Sequence, residues 1–466
     1  MKTSSEGSLD INERMRKVLS EVLKVIKPDE KEKSYVLSFA NRILNEVSNA
    51  VKDVDVPHSV ELHGSIAHDT WLSKDRDIDI FILLHEERPK EYLEKEILGK
   101  IEKALPYKFE KRYAEHPYLR AHIEDFEVDI VPGFFVNRII SAVDRTPRHT
   151  LFLKRHLNSH LCDEIRLLKA FLKGIKAYGA EIKVQGLSGY ACELLVIGFG
   201  SFIGVLREFS YKPQIFLDFT NTWDPEEAKK FFRTRVIIID PTDASRNVAA
   251  SLNEQMFYRI KFASKMFLNN PRVDFFFPKE YHFDASWILK QLRDRAILLI
   301  LLKKSSEVAP DTYWGQAKRI ASKILNFMEK IPEIIMYAIE TCESEEHIVI
   351  LIETNKKTLT KFELLQGPPV WASYDNISEF INMHKEKIAG PWVSPNGKIM
   401  ILVRRSMEKI DLKRILAGYL ESIKMQPSFH SFQIIDKPEE ILGFTTKENI
   451  LRELIGFLIR RPSWLY

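Results

Sequence analysis

Apolar residues recur at helical spacing over the first fifty positions: Val18, Val22 and Ile26, then Val36, Ala40, Ile43 and Val47, with Pro28 between the two sets. The rhythm predicts two helices between about 12 and 51. At VELHGSIAHDTWL a short strand runs into Gly64-Ser65 and then a helix. RDIDIFILL begins as alternation and ends as a continuous apolar run, which fits a strand with one exposed end and a buried centre. A helix over about 90 to 104 leads to strands near KFEKRYAEHPY, AHIEDF and FEVDIVP. Mixed helices and strands with acidic strand ends predict an α/β or α+β catalytic unit.

From Arg148 the pattern turns helical. CDEIRLLKAFLKGIKAYG sets Ile165, Leu168, Leu172 and Ile175 on one face and closes at Gly179. Ser188 is placed to cap a buried helix holding the longest uncharged apolar run, 194–206. That run is shorter than the ~20 residues of a membrane helix. A strand at RVIIIDP and a helix at RNVAASLNEQMFYRIKFASKMFL follow, and NNPRVDFFFP reads as a boundary. Further on, loop-like GPPVWASYDN and GPWVSPNGK flank a helix at about 377–387. Neither an internal repeat nor a low-complexity tract interrupts the chain.

Composition narrows the class. At 466 residues the chain exceeds the size of one core, so three or four domains are expected. With 45% apolar and 29% charged residues it reads as soluble and globular. A net charge of +4 says little about nucleic acid, so where Lys and Arg sit must decide. Cys162, Cys192 and Cys342 form no CxxC pair, which argues against a structural zinc and for a reducing compartment. MKTSSEGSLDINERMRK has no apolar signal core, so a soluble, cytoplasmic protein is expected.

The chemistry concentrates at Asp77 and Asp79. One residue apart on a strand, they project to one face while Ile78 and Ile80 take the other. Glu127 and Asp129 repeat the pattern. If the two strands are neighbours, Asp77, Asp79 and Asp129 converge, and a divalent cation is the usual relief for such crowding. Two metals about 4 Å apart can activate a hydroxyl and neutralise a leaving pyrophosphate. Asp75, Asp77, Asp79 and Glu86 also fall at EF-hand positions, but Ile80 stands where that loop needs glycine, so the EF-hand fails. Gly64-Ser65 adds a turn whose backbone N–H groups can approach a phosphate at a helix start.

In combination, HGSIAHDTWLSKDRDIDIFI, YAEHPY, FEVDIVP, SAVDRTPRHT, EIRLLKAFLKGIKAYGAEIKVQGLSGYACELL and DPTDASRNVAA resemble the archaeal (class I) CCA-adding branch of the DNA polymerase β-type nucleotidyltransferases. The resemblance implies an α+β multidomain fold with a polymerase β-like head at 1–150 and a helical neck at 151–268. A body would follow at 269–340 and 415–466, with a tRNA-binding tail at 341–414. It implies Asp77, Asp79 and Asp129 as ligands of two Mg2+ ions, and Gly64 and Ser65 at the triphosphate with help from His149, Lys169 and Tyr178. Thr146 and His116 fall near the ribose and phosphates, and Arg246 matches the arginine that selects C and A. His68 stands where the family often has a phosphate-binding arginine, and a neutral imidazole offers one donor instead of a charged fork.

By residue type alone several of these have plainer readings. Lys169 suits a solvated helix face, His149 and His116 satisfied or surface histidines, and Arg246 a helix-start pair with Asp243. His156 and His160 lack a third ligand. Basic pairs at Lys303-Lys304, Lys356-Lys357, Arg404-Arg405 and Arg460-Arg461 permit salt-dependent contact with an RNA helix. The implied function is addition of CCA to tRNA 3′ ends from CTP and ATP, gripping the acceptor stem and upper half of tRNA. A homodimer is one candidate assembly. The rival readings are another member of the superfamily, such as a poly(A) polymerase, and a non-catalytic RNA-binding relative.

Overall fold

The computed structural model describes residues 3–113, 117–136, 139, 141, 143–305, 308–331, 333–359, 362–404, 410–423 and 428–465. Helices α1 (Thr3–Ile26) and α2 (Glu30–Val51) form on either side of Pro28, and the Asp29 carboxylate caps α2 by accepting from the Glu32 N–H. Contacts divide the chain into two units, Met1–Lys279 with Pro462–Tyr466, and Glu280–Arg461, so the split falls just past NNPRVDFFFP.

The first unit holds two large cores. One is built on a five-stranded sheet ordered β1-β2-β5-β4-β3, from β1 (His58–His63), β2 (Asp77–Leu84), β3 (Phe109–Tyr113), β4 (Pro117–Ile123) and β5 (Phe126–Phe134). Only β2 and β5 run parallel. A single turn, α3 (Gly64–Ala67), follows β1, and a helical stretch follows β2 as α4 (Lys90–Tyr92), a π-turn (Leu93–Leu98) and α5 (Gly99–Ala104). Val36, Ala40, Ile43 and Val47 of α2 pack with Ile78, Ile80, Val128 and Ile130 in one core, which turns Asp77, Asp79, Glu127 and Asp129 to the opposite sheet face.

The second core gathers α6 (Arg145–His156), α7 (Ser159–Gly174), α8 (Gly189–Phe199), α9 (Phe202–Tyr211) and α11 (Glu254–Asn269) around a small sheet. That sheet is β6 (Ile215–Leu217), β7 (Val236–Asp240) and β8 (Asp243–Asn247), with α10 (Pro225–Phe232) between β6 and β7. Val18, Val22 and Ile26 of α1 pack here rather than on the large sheet, and so does Trp464. The apolar stripe of α1 lies on α7, so neither 1–150 nor 415–466 folds around a single core.

Two local expectations change. Ser188 caps α8 as predicted, accepting from the Ala191 N–H, but Gly200 (φ 78°) ends that helix and α9 leaves at 92°. The run 194–206 is therefore two short core helices. Among the described residues no single helix is long and apolar enough to cross a membrane. SRNVAA begins as strand, not helix: the Asn247 amide accepts from Ile238 N–H (2.9 Å) and donates to Val236 carbonyl (3.0 Å), so pairing with β7 overrides helix propensity.

The second unit opens with α12 (Ala285–Asp294), β9 (Ala296–Lys304), α13 (Pro310–Met328), β10 (Met336–Glu343) and β11 (His347–Thr354). After β12 (Thr358–Leu359) come β13 (Phe362–Pro369), α14 (Tyr374–Met383), β14 (Lys387–Val393) and β15 (Lys398–Arg404). It closes with β16 (Ile410–Asp411), α15 (Leu412–Ser422), β17 (Phe429–Ile435), α16 (Pro438–Lys447) and α17 (Leu451–Ile459). A four-stranded antiparallel sheet, β10-β11-β9-β17, stands apart from the three-stranded β13-β15-β14, and β12 pairs with β16. A boundary at 341 falls inside β10, in the middle of the larger sheet's chain path. Both units mix helix and sheet, an α+β architecture.

Candidate active site

Strand parity sets the acidic face. With Ile78, Ile80, Val128 and Ile130 in the core, Asp77, Asp79, Glu127 and Asp129 emerge on the other side. The parallel register pairs Asp77 with Glu127 and Asp79 with Asp129. The Asp79 carboxyl is pushed up to about 7 by burial and by the charges of Asp129 and Asp77. Asp77 is raised too, by partial desolvation and by Asp75 and Glu127.

Gly64 closes one wall. His63 is the register partner of Asp79, and Gly64 adopts φ +70° directly beside it. A β-carbon at Gly64 would lie 1.9 Å from Asp79 Oδ2, so only glycine fits. The helix that Ser65 enters is four residues long, so what this turn presents is its backbone more than a helix dipole.

Arg120, absent from the sequence expectations, faces Asp129 across β4 and β5. Its Nε and Nη2 each donate to Asp129 at 2.7 Å, and Nη1 pairs with Glu127 Oε1 at 2.6 Å. The signal was present in PYLRAHI, where Leu119, Ala121 and Ile123 are buried and Arg120 must share the carboxylate face. With Asp129 drawn to this fork, no three His, Cys, Asp or Glu side chains among the described residues stand grouped around one ion position.

A second cluster joins the large sheet to the helices behind it. Lys169 is buried, and its ammonium donates to Thr70 Oγ1 (3.0 Å), Thr70 carbonyl (3.2 Å) and Glu193 Oε1 (3.4 Å). Burial alone would raise Glu193, but the Lys169 charge, His68 and the Thr70 hydroxyl hold it at about 2. His68 sits between Glu193 (Nδ1, 3.5 Å) and the Thr150 hydroxyl (Nε2, 3.0 Å), with its side chain only 6% exposed. The other side of Thr150 meets buried His63 at 2.8 Å. Tyr178 is half-buried, with its hydroxyl 3.1 Å from the position a β-carbon would take at Gly189, beside Lys169.

The third cluster is centred on Asp240. His149 contacts it at 2.9 Å and stacks on Tyr190 (centroids 3.9 Å apart), while Arg246 Nη1 donates to it at 2.7 Å. Asp243, the partner expected for Arg246, instead binds Arg145 at 3.1 Å. Burial lowers His149, against the pull of Asp240. Thr146, His149 and Thr150 share a face of α6, whereas His116 lies outside the described residues. Neither Asp240 nor Glu193 stood out in the sequence, because the carboxylates of DPTD and GYACELL carry no strand-parity signal.

Several of the expected RNA-facing cations are engaged within the second unit: Lys304 with Glu343, Lys356 with Glu333, Lys357 with Asp436 carbonyl and Arg460 with Glu353. Arg405 lies outside the described residues.

Three family models match the chain in order: the nucleotidyltransferase domain over 41–152, the tRNA nucleotidyltransferase second domain over 163–277, and the CCA-adding enzyme C-terminal domain over 293–421. The CCA-adding enzyme of Saccharolobus islandicus (strain Y.N.15.51) is 32% identical over 456 residues, covering 96% of this chain and 99% of that protein. That of Methanopyrus kandleri is 33% identical over 435 residues, 88% of each. A solved structure of a cytoplasmic RNA terminal U-transferase aligns at TM-score 0.45 and 16% identity, over 56% of this chain and 95% of that one.

Proposed function

This chain belongs to the CCA-adding enzyme family, and we propose how its residues divide the work of that reaction. The protein is a tRNA nucleotidyltransferase that adds CCA to tRNA by nucleotidyl transfer from nucleoside triphosphates. The tRNA 3′ hydroxyl attacks the α-phosphorus of CTP, or finally ATP, and pyrophosphate leaves.

Asp77, Asp79 and Asp129 would hold the divalent cations, which we take to be two Mg2+. The donor set fits a hard cation. It offers oxygen ligands alone, and Asp77 and Asp79 are in no ion pair among the described residues, whereas both Asp129 oxygens accept from Arg120, so Asp129 reaches an ion only by releasing one of those bonds. When bound, the ions activate the attacking hydroxyl and neutralise the departing pyrophosphate. Arg120 orients Asp129 through its two-pronged contact. Gly64 and Ser65 receive the triphosphate beside Asp79, with His149, Lys169 and Tyr178 in support. All three donors of Lys169 are occupied, so it reaches a phosphate only by giving up Thr70 or Glu193. His68 acts at one remove, by bracing Glu193. Thr146 and His116 serve the ribose and phosphates, and Arg246 reads the base. Head, neck, body and tail remain our division of labour, with the second unit gripping the upper half of tRNA. A cytoplasmic location and a homodimer, checked by light scattering, complete the expectation.

The observation that carries this reading is Asp79 facing Asp129 in parallel register with Gly64 against it. The test is tRNA lacking CCA, incubated with CTP, ATP or both. Two CMP residues and one AMP are expected, and the Asp77→Ala, Asp79→Ala variant should lose about 10³-fold or more. Long tails from ATP alone, or full activity in that variant, would overturn it.

A further inference from the structure

Asp240 ends a strand whose five residues are all buried, and its own side chain is 0% exposed. A carboxylate there is tolerable only if its lone pairs are filled. They are filled from two directions. Thr242 donates twice to Oδ1, from its N–H (2.9 Å) and its hydroxyl (2.8 Å), which fixes the plane of the carboxylate. The Oδ2 edge then takes His149 Nε2 (2.9 Å) and Arg246 Nη1 (2.7 Å). Four donors match the roughly four acceptor positions of a carboxylate.

These donors come from different parts of the unit. His149 stands on α6, where Tyr190 of α8 stacks on it, and Arg246 stands on β8. Arg145, also on α6, ties the same hairpin a second time through Asp243. Arg246 is thereby held at one terminal nitrogen while its side chain remains 37% exposed. A guanidinium anchored at one end presents its remaining donors in a fixed direction, which is the condition for discriminating one base edge from another.

We propose that Asp240 is a positioning residue for nucleotide selection: one buried carboxylate orients Arg246 and registers it against His149. The proposal rests on reading Arg246 as the base-selecting arginine, and it assigns the selectivity of that arginine to a residue that touches no substrate.

The test uses the full-length protein with tRNA lacking CCA, and reads kcat/KM for CTP against UTP, alongside thermal unfolding. Asp240→Asn keeps the shape but removes the charge and turns one acceptor oxygen into an NH2 donor, so one of the two donor pairs loses its acceptor. It should lower the CTP/UTP preference about ten-fold or more, largely through a raised KM for CTP. Arg246→Ala should lose the preference as well, and adding Asp240→Asn to it should cost no further selectivity. Equal losses for both nucleotides, or a further loss in the Arg246→Ala background, would mark Asp240 as merely structural and overturn the proposal. If Arg246→Ala leaves the preference intact, the base-reading role falls and the proposal with it, whereas an inert Asp240→Asn beside a damaged Arg246→Ala refutes the proposal alone. Should Asp240→Asn not fold, Thr242→Val removes one of the two donors to Oδ1 and must still shift the preference in the same direction, by a smaller factor. An unchanged ratio there also refutes it.

Discussion

Asp79 and Glu193 are carboxylates of the same unit in opposite electrical conditions. Asp79 faces Asp129 and Asp77, accepts from no described cation, and is pushed up to about 7. Glu193, more deeply buried, is crowded by Lys169, His68 and Thr70 and is held at about 2. Asp240 resembles Glu193: donors surround it and lower it despite its burial. Packing has therefore left one carboxylate group with unspent acceptor capacity and saturated the other two. The first can take up positive charge from outside, and the others can only hold neighbours in place. Burial and acidity alone do not separate a ligand site from a structural anchor; the supply of donors does.

The largest break in this contrast should come at Gly64. Alanine there would put its β-carbon 1.9 Å from Asp79 Oδ2 and must also hold φ +70°. The carboxylate has to move, and a shift of about 1 Å at a reacting group costs about 10²-fold in rate. Gly200→Ala is the matched control, since it carries the same backbone strain (φ +78°) with nothing within 4 Å. It should cost about 1 kcal/mol of stability and leave CMP incorporation unchanged. Equal activities of the two variants would mean that Asp79 is not constrained by the turn.

The saturated side breaks differently. Glu193→Ala strands Lys169 in a buried site, for which about 3–5 kcal/mol of stability is the ordinary loss. Urea unfolding measures it. Replacing both partners, as Glu193→Leu with Lys169→Met, should recover much of that stability without recovering activity. A double variant as unstable as Glu193→Ala would show that the pair does more than balance charge.

Much of this was legible in the chain. Alternation at DIDIF and EVDIV placed the acidic face correctly, because period-two parity is decided by the apolar residues between the carboxylates. The adjacency of β2 and β5 was only a condition, since pairing partners are set by tertiary contact. Arg120 was hidden for the same reason: its parity was readable, its neighbour was not. SRNVAA misled because helix propensity was weighed without the Asn247 amide that ties it to β7. The place of α1 was unreadable, since its apolar stripe suits a helix or a sheet as partner equally well. Lys169 was the sharpest reversal, as a helix-face lysine proved to be the buried partner of a carboxylate on the next helix.

The smallest effect is also the most diagnostic of the contrast. An unfolded aspartate protonates near 3.8, and Asp79 in the folded chain near 7. Between those values the metal-free native state binds more protons than the unfolded one, so this group's contribution is fully present below about pH 4 and lost as pH rises through about 7. Glu193 has the reverse sign: its contribution is present above about 4.5 and lost as pH falls through about 2. The difference in melting temperature between wild type and Asp79→Asn isolates the limb of Asp79 and the carboxylates coupled to it, because titrating groups away from this face cancel. In a metal chelator the variant should gain a few °C relative to wild type between pH 5 and 8, roughly the shift of about 1 kcal/mol in a domain this size. Added Mg2+ should stabilise the wild type more at pH 8 than at pH 5, since a cation and a proton compete for the same oxygens. The variant should show little of that pH-dependent gain. A wild type whose Mg2+ response is flat with pH would mean that Asp79 is already ionised and balanced without a cation, and the two carboxylate centres would no longer differ in kind.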